Sequence, residues 1–137
     1  MQAEFGRHMN SLREIFSFTK LFIREEQLDQ ELESPLNLVI EELFTNMVKY
    51  SPDNPNKIKL EIRSENGLVI IVITDYDVEP FDIREADHYD IDQNLNQRPI
   101  GKVGLHLVKK YVDEIDYDYQ NRISKITLKK MIGKPHA

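Results

Sequence analysis

Apolar residues recur at helical spacing from Ser11 to Gln27, where Leu12, Ile15, Phe16, Phe18, Leu21 and Phe22 predict a first amphipathic helix. Glu31 to Ser34 is a polar break. Ser34-Pro35 then reads as a helix start, a side-chain cap followed by a proline whose missing N–H costs nothing there. Leu36, Val39, Ile40, Leu43, Phe44, Met47 and Val48 make one stripe, and Ser51-Pro52-Asp53-Asn54-Pro55 stops the helix. Beyond it the period changes to two. Ile58, Leu60 and Ile62 alternate with Lys57, Lys59, Glu61 and Arg63, Asn66-Gly67 supplies a two-residue hairpin turn, and Leu68 to Ile73 returns as a strand apolar on both faces.

The segment from Asp75 to Pro99 carries no clear period and eight carboxylates; a stretch this long reads either as a functional lid or as an acidic insert. Gly101 to Val112 predicts a third helix with Leu107, Val108 and Tyr111 on its apolar side. Ile115, Tyr117 and Tyr119 alternate with polar residues, and after Asn121-Arg122 a further strand carries Ile126 and Leu128. Ala3 to Phe5 adds a candidate short strand. Helices set apart from hairpin strands imply an α+β, two-layer α/β sandwich: a mainly antiparallel, mixed sheet covered on one face by helices. The expected organisation is one domain over residues 1–137, with a lid at about 76–100.

Size fits that reading, since 137 residues with 40% apolar content can bury one core. A net charge of −6 argues against nucleic acid or an anionic membrane as the main partner. Without cysteine there is neither a disulfide nor a thiolate metal site. No apolar run is long enough for a bilayer and no secretory leader pattern opens the chain, so a cytoplasmic location is expected.

Three stations carry candidate chemistry. Glu42 and Asn46 lie one turn apart, with Asn46 bordering the apolar stripe and Glu42 and Lys49 just beyond it. An amide oxygen suits Mg²⁺, and a carboxylate beside it can take a proton from an attacking hydroxyl. A solvated helix face accounts equally for the pair taken alone. Asp75 ends the most apolar strand, where a carboxylate can accept from an adenine amino group or simply close a turn. Gly101 and Gly104 flank a helix start, where free N–H groups attract phosphate, and Lys102 adds a cation. His8, His88, His106 and His136 are scattered without metal-ligand spacing, and the phosphate-binding Gly-x-x-x-x-Gly-Lys-Ser/Thr loop is absent.

In order, these stations resemble the Bergerat-fold (GHKL) ATPases. Glu42-Leu-Phe-Thr-Asn46 is similar to their N box, and Asp75-Tyr-Asp-Val-Glu-Pro-Phe-Asp82 to their first glycine box. Arg98-Pro-Ile-Gly-Lys-Val-Gly-Leu-His-Leu107 with Val112-Asp-Glu-Ile115 is similar to the second. The short chain looks most like the anti-sigma-factor serine/threonine kinases of that superfamily. The resemblance covers about residues 10 to 130. It implies ATP and Mg²⁺ as cofactors, Glu42 as general base and Asn46 as metal ligand. It also implies Asp75 on the adenine amino group, Gly101 and Gly104 on the phosphates, and a hydroxyl from Ser124 near Asp75. Its implied partners are an anti-anti-sigma protein phosphorylated on serine or threonine, a sigma factor, and a second copy of the chain.

Three positions depart from that pattern. Asp77 and Glu79 stand where glycine, or glycine or proline, is usual, and Lys102 replaces a glycine. Asp77 and Glu79 are expected to lack glycine's backbone freedom and to repel triphosphate unless Mg²⁺ or Lys102 compensates. They motivate a second reading, a degenerate binding module that sequesters a sigma factor or related regulator without turnover. A third, the detached ATP-binding domain of a sensor histidine kinase, lacks an obvious phosphoacceptor histidine in the first helix.

Overall fold

The computed structural model describes residues 1–81 and 102–132, the first three of the latter segment by their backbone. In chain order these residues form β1 (Gln2–Phe5), α1 (Ser11–Glu25), a 3₁₀ turn (Gln30–Leu32) and α2 (Glu33–Tyr50). There follow β2 (Ile58–Glu65), β3 (Leu68–Tyr76), α3 (Lys102–Tyr111), β4 (Glu114–Gln120) and β5 (Ile123–Met131). The five strands lie in the order β1-β2-β3-β5-β4. All four pairings are antiparallel, simpler than the mixed sheet expected. The expected lid at 76–100 lies mostly outside the described residues.

Turn chemistry sets the register of both hairpins. Asn66 and Gly67 have φ of 51° and 76°, and Asn121 and Arg122 have φ of 53° and 62°. Two successive positive φ values give the twist that two antiparallel strands need. The first turn opposes Glu65 to Leu68, and the second opposes Gln120 to Ile123. β3 lies at the centre, so its backbone is paired on both edges.

Ile15, Phe22 and Ile23 of α1, and Leu36, Val39, Ile40, Leu43 and Phe44 of α2, are all buried. They pack with Leu105, Val108 and Val112 against Ile58, Leu60, Ile62, Val69, Ile71, Ile73, Ile126 and Leu128 of the sheet. The two-layer sandwich is therefore as the periodicities predict. Val108 and Tyr111 of α3 pack on the core as expected, but Leu107 is 45% exposed, and Leu105 and Val112 are buried in its place. On the other sheet face Ile70 and Val72 are buried opposite Lys129, Arg63, Thr127 and Glu61. Long polar side chains have apolar stems that can cover such a strand without a second helical layer.

Two helix ends differ from the predicted ones. Asp29, not Ser34, supplies a side-chain cap, accepting from the Glu31 N–H at 2.9 Å and starting the 3₁₀ turn that leads into α2. Pro35 thereby falls in the first turn of α2, where its missing N–H is still harmless. α1 stops at Glu25, and Gln27 takes a φ of 55° while the Leu28 N–H returns to the Ile23 carbonyl. Phe44 sits at the centre of this packing, 2% exposed. Phe44→Ala is expected to lower the unfolding free energy by about 3–5 kcal/mol, read from urea denaturation.

Candidate functional site

α2 delivers its C-terminal half to the end of β3. The helix stripe that buries Leu43 also carries Asn46 and Met47 inward, and the last turn brings Tyr50. The end of β3 brings Asp75, opposite Ser124 of β5 in the register. These residues line one cleft with Ser51, Val78, Glu79, Phe81, Leu105 and Ile126, around about 430 Å³ of empty space. Tyr50 and Phe81 stack at 4.9 Å between ring centroids and form an aromatic wall. A largely apolar hollow with a few polar groups is the usual make-up of a small-molecule site.

Asn46 is the least satisfied of these groups. Its Nδ2 donates to the Glu42 carbonyl one turn back, and its Oδ1 is buried without a hydrogen-bond partner among the described residues. An orphaned buried amide oxygen costs free energy unless something fills it, and a hard cation suits it. Among the described residues no group of three histidine and carboxylate side chains forms a metal cage. A single protein oxygen is what Mg²⁺ commonly takes when phosphate and water complete its shell. The residues present fit that ion.

Glu42 lies one turn before Asn46, half-buried and outside the cleft lining. Burial raises its pKa, the neighbouring Glu41 carboxylate raises it further, and Lys49 opposes both. Lys49 is exposed and stands beside Glu42 in this sense, away from the cleft wall. Lys102 and Gly104 fall in the first turn of α3, and Leu105 in that turn lines the cleft. Gly101 lies outside the described residues. The structure thus gathers Asn46, Asp75 and Ser124, with Glu42 adjacent and the start of α3 alongside.

Arg7 is the residue that sequence reasoning missed. β1 ends at the buried Phe5, and the Gly6 carbonyl accepts from the His8 N–H at 2.9 Å and the Ser11 hydroxyl at 2.7 Å. That tight turn sends Arg7 inward. Its Nη2 pairs with Asp75 Oδ1 and its Nη1 donates to Asp75 Oδ2 at 3.3 Å. The guanidinium also reaches the Met47 carbonyl at 3.0 Å and the Asn56 carbonyl at 3.3 Å. Both charged side chains are almost wholly buried, 3% and 4% exposed. A carboxylate buried at a strand end needs a cation, but the sequence did not single out which of its 18 lysines and arginines supplies it.

The departures at Asp77 and Glu79 also find an explanation. Asp77 adopts the left-handed φ of 58° that glycine would supply, a region aspartate tolerates better than most residues. Its carboxylate pairs with Arg122 at 2.7 Å, and Glu79 meets the same guanidinium at 3.0 Å. Both carboxylates hold the Arg122 proton more tightly. Arg122 at the hairpin tip thus supplies a cation that compensates both carboxylates. Backbone and tyrosine bonds complete this clasp: the Val78 N–H reaches the Arg122 carbonyl, Tyr119 donates to the Val78 carbonyl, and Tyr117 accepts from the Phe81 N–H.

The profile of the histidine kinase-like ATPase domain matches residues 7–130. The chain belongs to that family. The match begins at Arg7 and spans every station above. Two solved structures share the fold of this ATPase-family chain. One is a chain of the SiaB-SiaC complex from Pseudomonas aeruginosa, with a TM-score of 0.63 and 15% identity, covering 96% of this chain and 88% of that one. The other is the Acinetobacter baumannii histidine kinase AdeS, with a TM-score of 0.54 and 14% identity, covering 98% of this chain and 68% of that one. No curated protein matches the sequence. Among the described residues, no helix is long and apolar enough to cross a membrane.

The two cation clasps differ sharply in burial. Removing one partner of a buried pair leaves an uncompensated charge, so Arg7→Met is expected to lose about 3–5 kcal/mol of stability. Arg122→Met is expected to change it little, because its partners are solvated. Urea denaturation of the two variants reads the contrast.

Proposed function

We propose that this family member binds Mg-ATP in the cleft and transfers the γ-phosphoryl group to a serine or threonine hydroxyl of an anti-anti-sigma-like partner protein. The observation that carries the reading is Asn46: a buried amide oxygen with no protein partner among the described residues, in the wall of a cleft formed by α2, β3 and β5. Mg²⁺ would offset the charge of the phosphates. Asn46 would hold it. Asp75, with Ser124 opposite it, would receive the adenine amino group, and Gly101, Lys102 and Gly104 would meet the phosphates.

Glu42 would orient the incoming hydroxyl and take its proton. The bond that forms joins the side-chain oxygen to the γ-phosphorus, the bond that breaks is the β–γ bridge, and ADP leaves. A carboxylate raised by burial is a better-matched base near neutral pH than a free glutamate. The Pseudomonas structure holds its chain in a complex with a second protein, which supports a partner-binding role for this fold. A sigma factor and a second copy of this chain are the further partners proposed, and the cytoplasm the location.

A second reading has its own observation. Asp75 already receives Arg7 and the Tyr76 N–H, which crowds the carboxylate meant for adenine. In that reading the chain sequesters its partner without turnover. Mg-ATP at 100 times its Kd is expected to stabilise the protein by about 2.7 kcal/mol, seen as a raised Tm; an unmoved Tm at millimolar Mg-ATP favours sequestration.

Glu42→Ala is expected to keep that thermal shift and to lose transfer by roughly 10²–10⁴-fold, measured with labelled ATP and the partner encoded beside this chain. Unchanged transfer would remove Glu42 from the role of base. The pH profile carries a sign as well. Glu42 works ionised, so transfer should fall on acidification through a pKa above the ordinary glutamate range. Because Lys49 opposes that rise, Lys49→Gln should move the acid limb to still higher pH.

A further inference from the structure

An ionised carboxylate offers about four acceptor positions, two on each oxygen. On Asp75, Oδ1 receives Arg7 Nη2 and the Tyr76 N–H, and Oδ2 receives Arg7 Nη1. One position remains, on Oδ2. Arg7 itself is outside the cleft lining, whereas Asp75 is part of it. The guanidinium therefore fixes the carboxylate from behind and presents a single acceptor to the hollow. The same side chain bonds the Met47 carbonyl, next in sequence to Asn46.

We propose that Arg7 is a positioning residue for base selectivity: its two bonds to Asp75, with the Tyr76 N–H beside them, leave one fixed acceptor on Oδ2 that takes an exocyclic amino group and rejects a ring carbonyl. This rests on the nucleotide reading above. The physical reason is the buried setting. Two oxygens of like charge facing each other across a dry contact repel, so a 6-oxo purine is disfavoured while a 6-amino purine donates. Without Arg7 the carboxylate would lose the two bonds that fix its orientation, and the open acceptor position would no longer be held toward the cleft.

Arg7 also bonds the Met47 and Asn56 carbonyls. Lysine retains the charge but not the planar two-pronged contact, and it cannot serve the carboxylate and both carbonyls together. Arg7→Lys is therefore a milder perturbation of the fold than Arg7→Met and a direct test of the geometry.

The experiment is calorimetric titration of ADP, inosine diphosphate and pyrophosphate, each with Mg²⁺, into the wild-type chain, Arg7→Lys and Arg7→Met, with circular dichroism confirming the fold. Wild type should prefer ADP over inosine diphosphate. In Arg7→Lys that preference should fall by about tenfold, the order of one hydrogen bond to a charged group, with pyrophosphate binding unchanged. In Arg7→Met, if folded, the preference should fall at least as far, because neither bond that orients the carboxylate remains. A folded Arg7→Lys with the wild-type preference overturns the proposal, as does a parallel loss for both nucleotides, the mark of a purely structural residue. A wild type that binds neither nucleotide overturns the nucleotide reading itself.

Discussion

The buried pairing of Arg7 with Asp75 is the contact on which the cleft depends. Asp75 sits at the end of the central strand with its side chain 4% exposed, a place where a lone carboxylate is not tolerated. Arg7 is equally buried and has five N–H donors to place. One pair of side chains thereby joins the β1–α1 turn, the end of β3, the last turns of α2 and the loop before β2. Asn54 extends the same junction, donating to the Tyr76 and Asp77 carbonyls and accepting from the Asn56 N–H. The polar groups where α2 meets the sheet are thus satisfied almost completely. Asn46 Oδ1 stands out against that background because its surroundings are otherwise paired.

The other wall of the cleft is held by different means. Residues 77–81 are fastened to the β4–β5 hairpin by a backbone bond, two tyrosine hydroxyls and Arg122. These contacts are mostly at the surface, where ion pairs contribute little and salt screens them. The cleft thus has a deeply fixed side, built on Arg7, and a more lightly held side, built on Arg122. Ligand-binding regions are commonly drawn from the less stable parts of a fold.

Much of this was legible in the sequence, for reasons that differ by element. The apolar stripe of α2 and the alternation in β2 read directly because burial on one face imposes a period. Asn66-Gly67 and Asn121-Arg122 marked both hairpins, although Arg122 holds a positive φ that its residue type does not advertise. Leu107 of α3 was misplaced because it is adjacent to Val108: a short helix with several apolar residues leaves its exact orientation to tertiary packing. Asn46 and Asp75 were singled out by their order and spacing and Ser124 by the family resemblance, and all three line one cleft. Arg7 was not singled out, because its role comes from a contact spanning 68 residues, and no local pattern carries such information. Arg122 escaped for the same reason.

The structure also changes what the unusual first glycine box implies. Replacing glycine by Asp77 suggested lost backbone freedom, yet Asp77 occupies the left-handed region and its side chain closes a clasp. Glu79 brings a carboxylate to the rim of the cleft, and the same guanidinium neutralises it. The two residues therefore form a compensated set with Arg122. The question of turnover then moves from these residues to Asp75. An arginine behind that carboxylate has two opposite effects: it takes acceptor positions, and it holds the remaining one aimed. In a site 4% exposed the second effect outweighs the first, because three of the bonds a buried carboxylate needs are already made and one acceptor position stays open on Oδ2. The pairing thus argues for a selective base site more strongly than against a functional one.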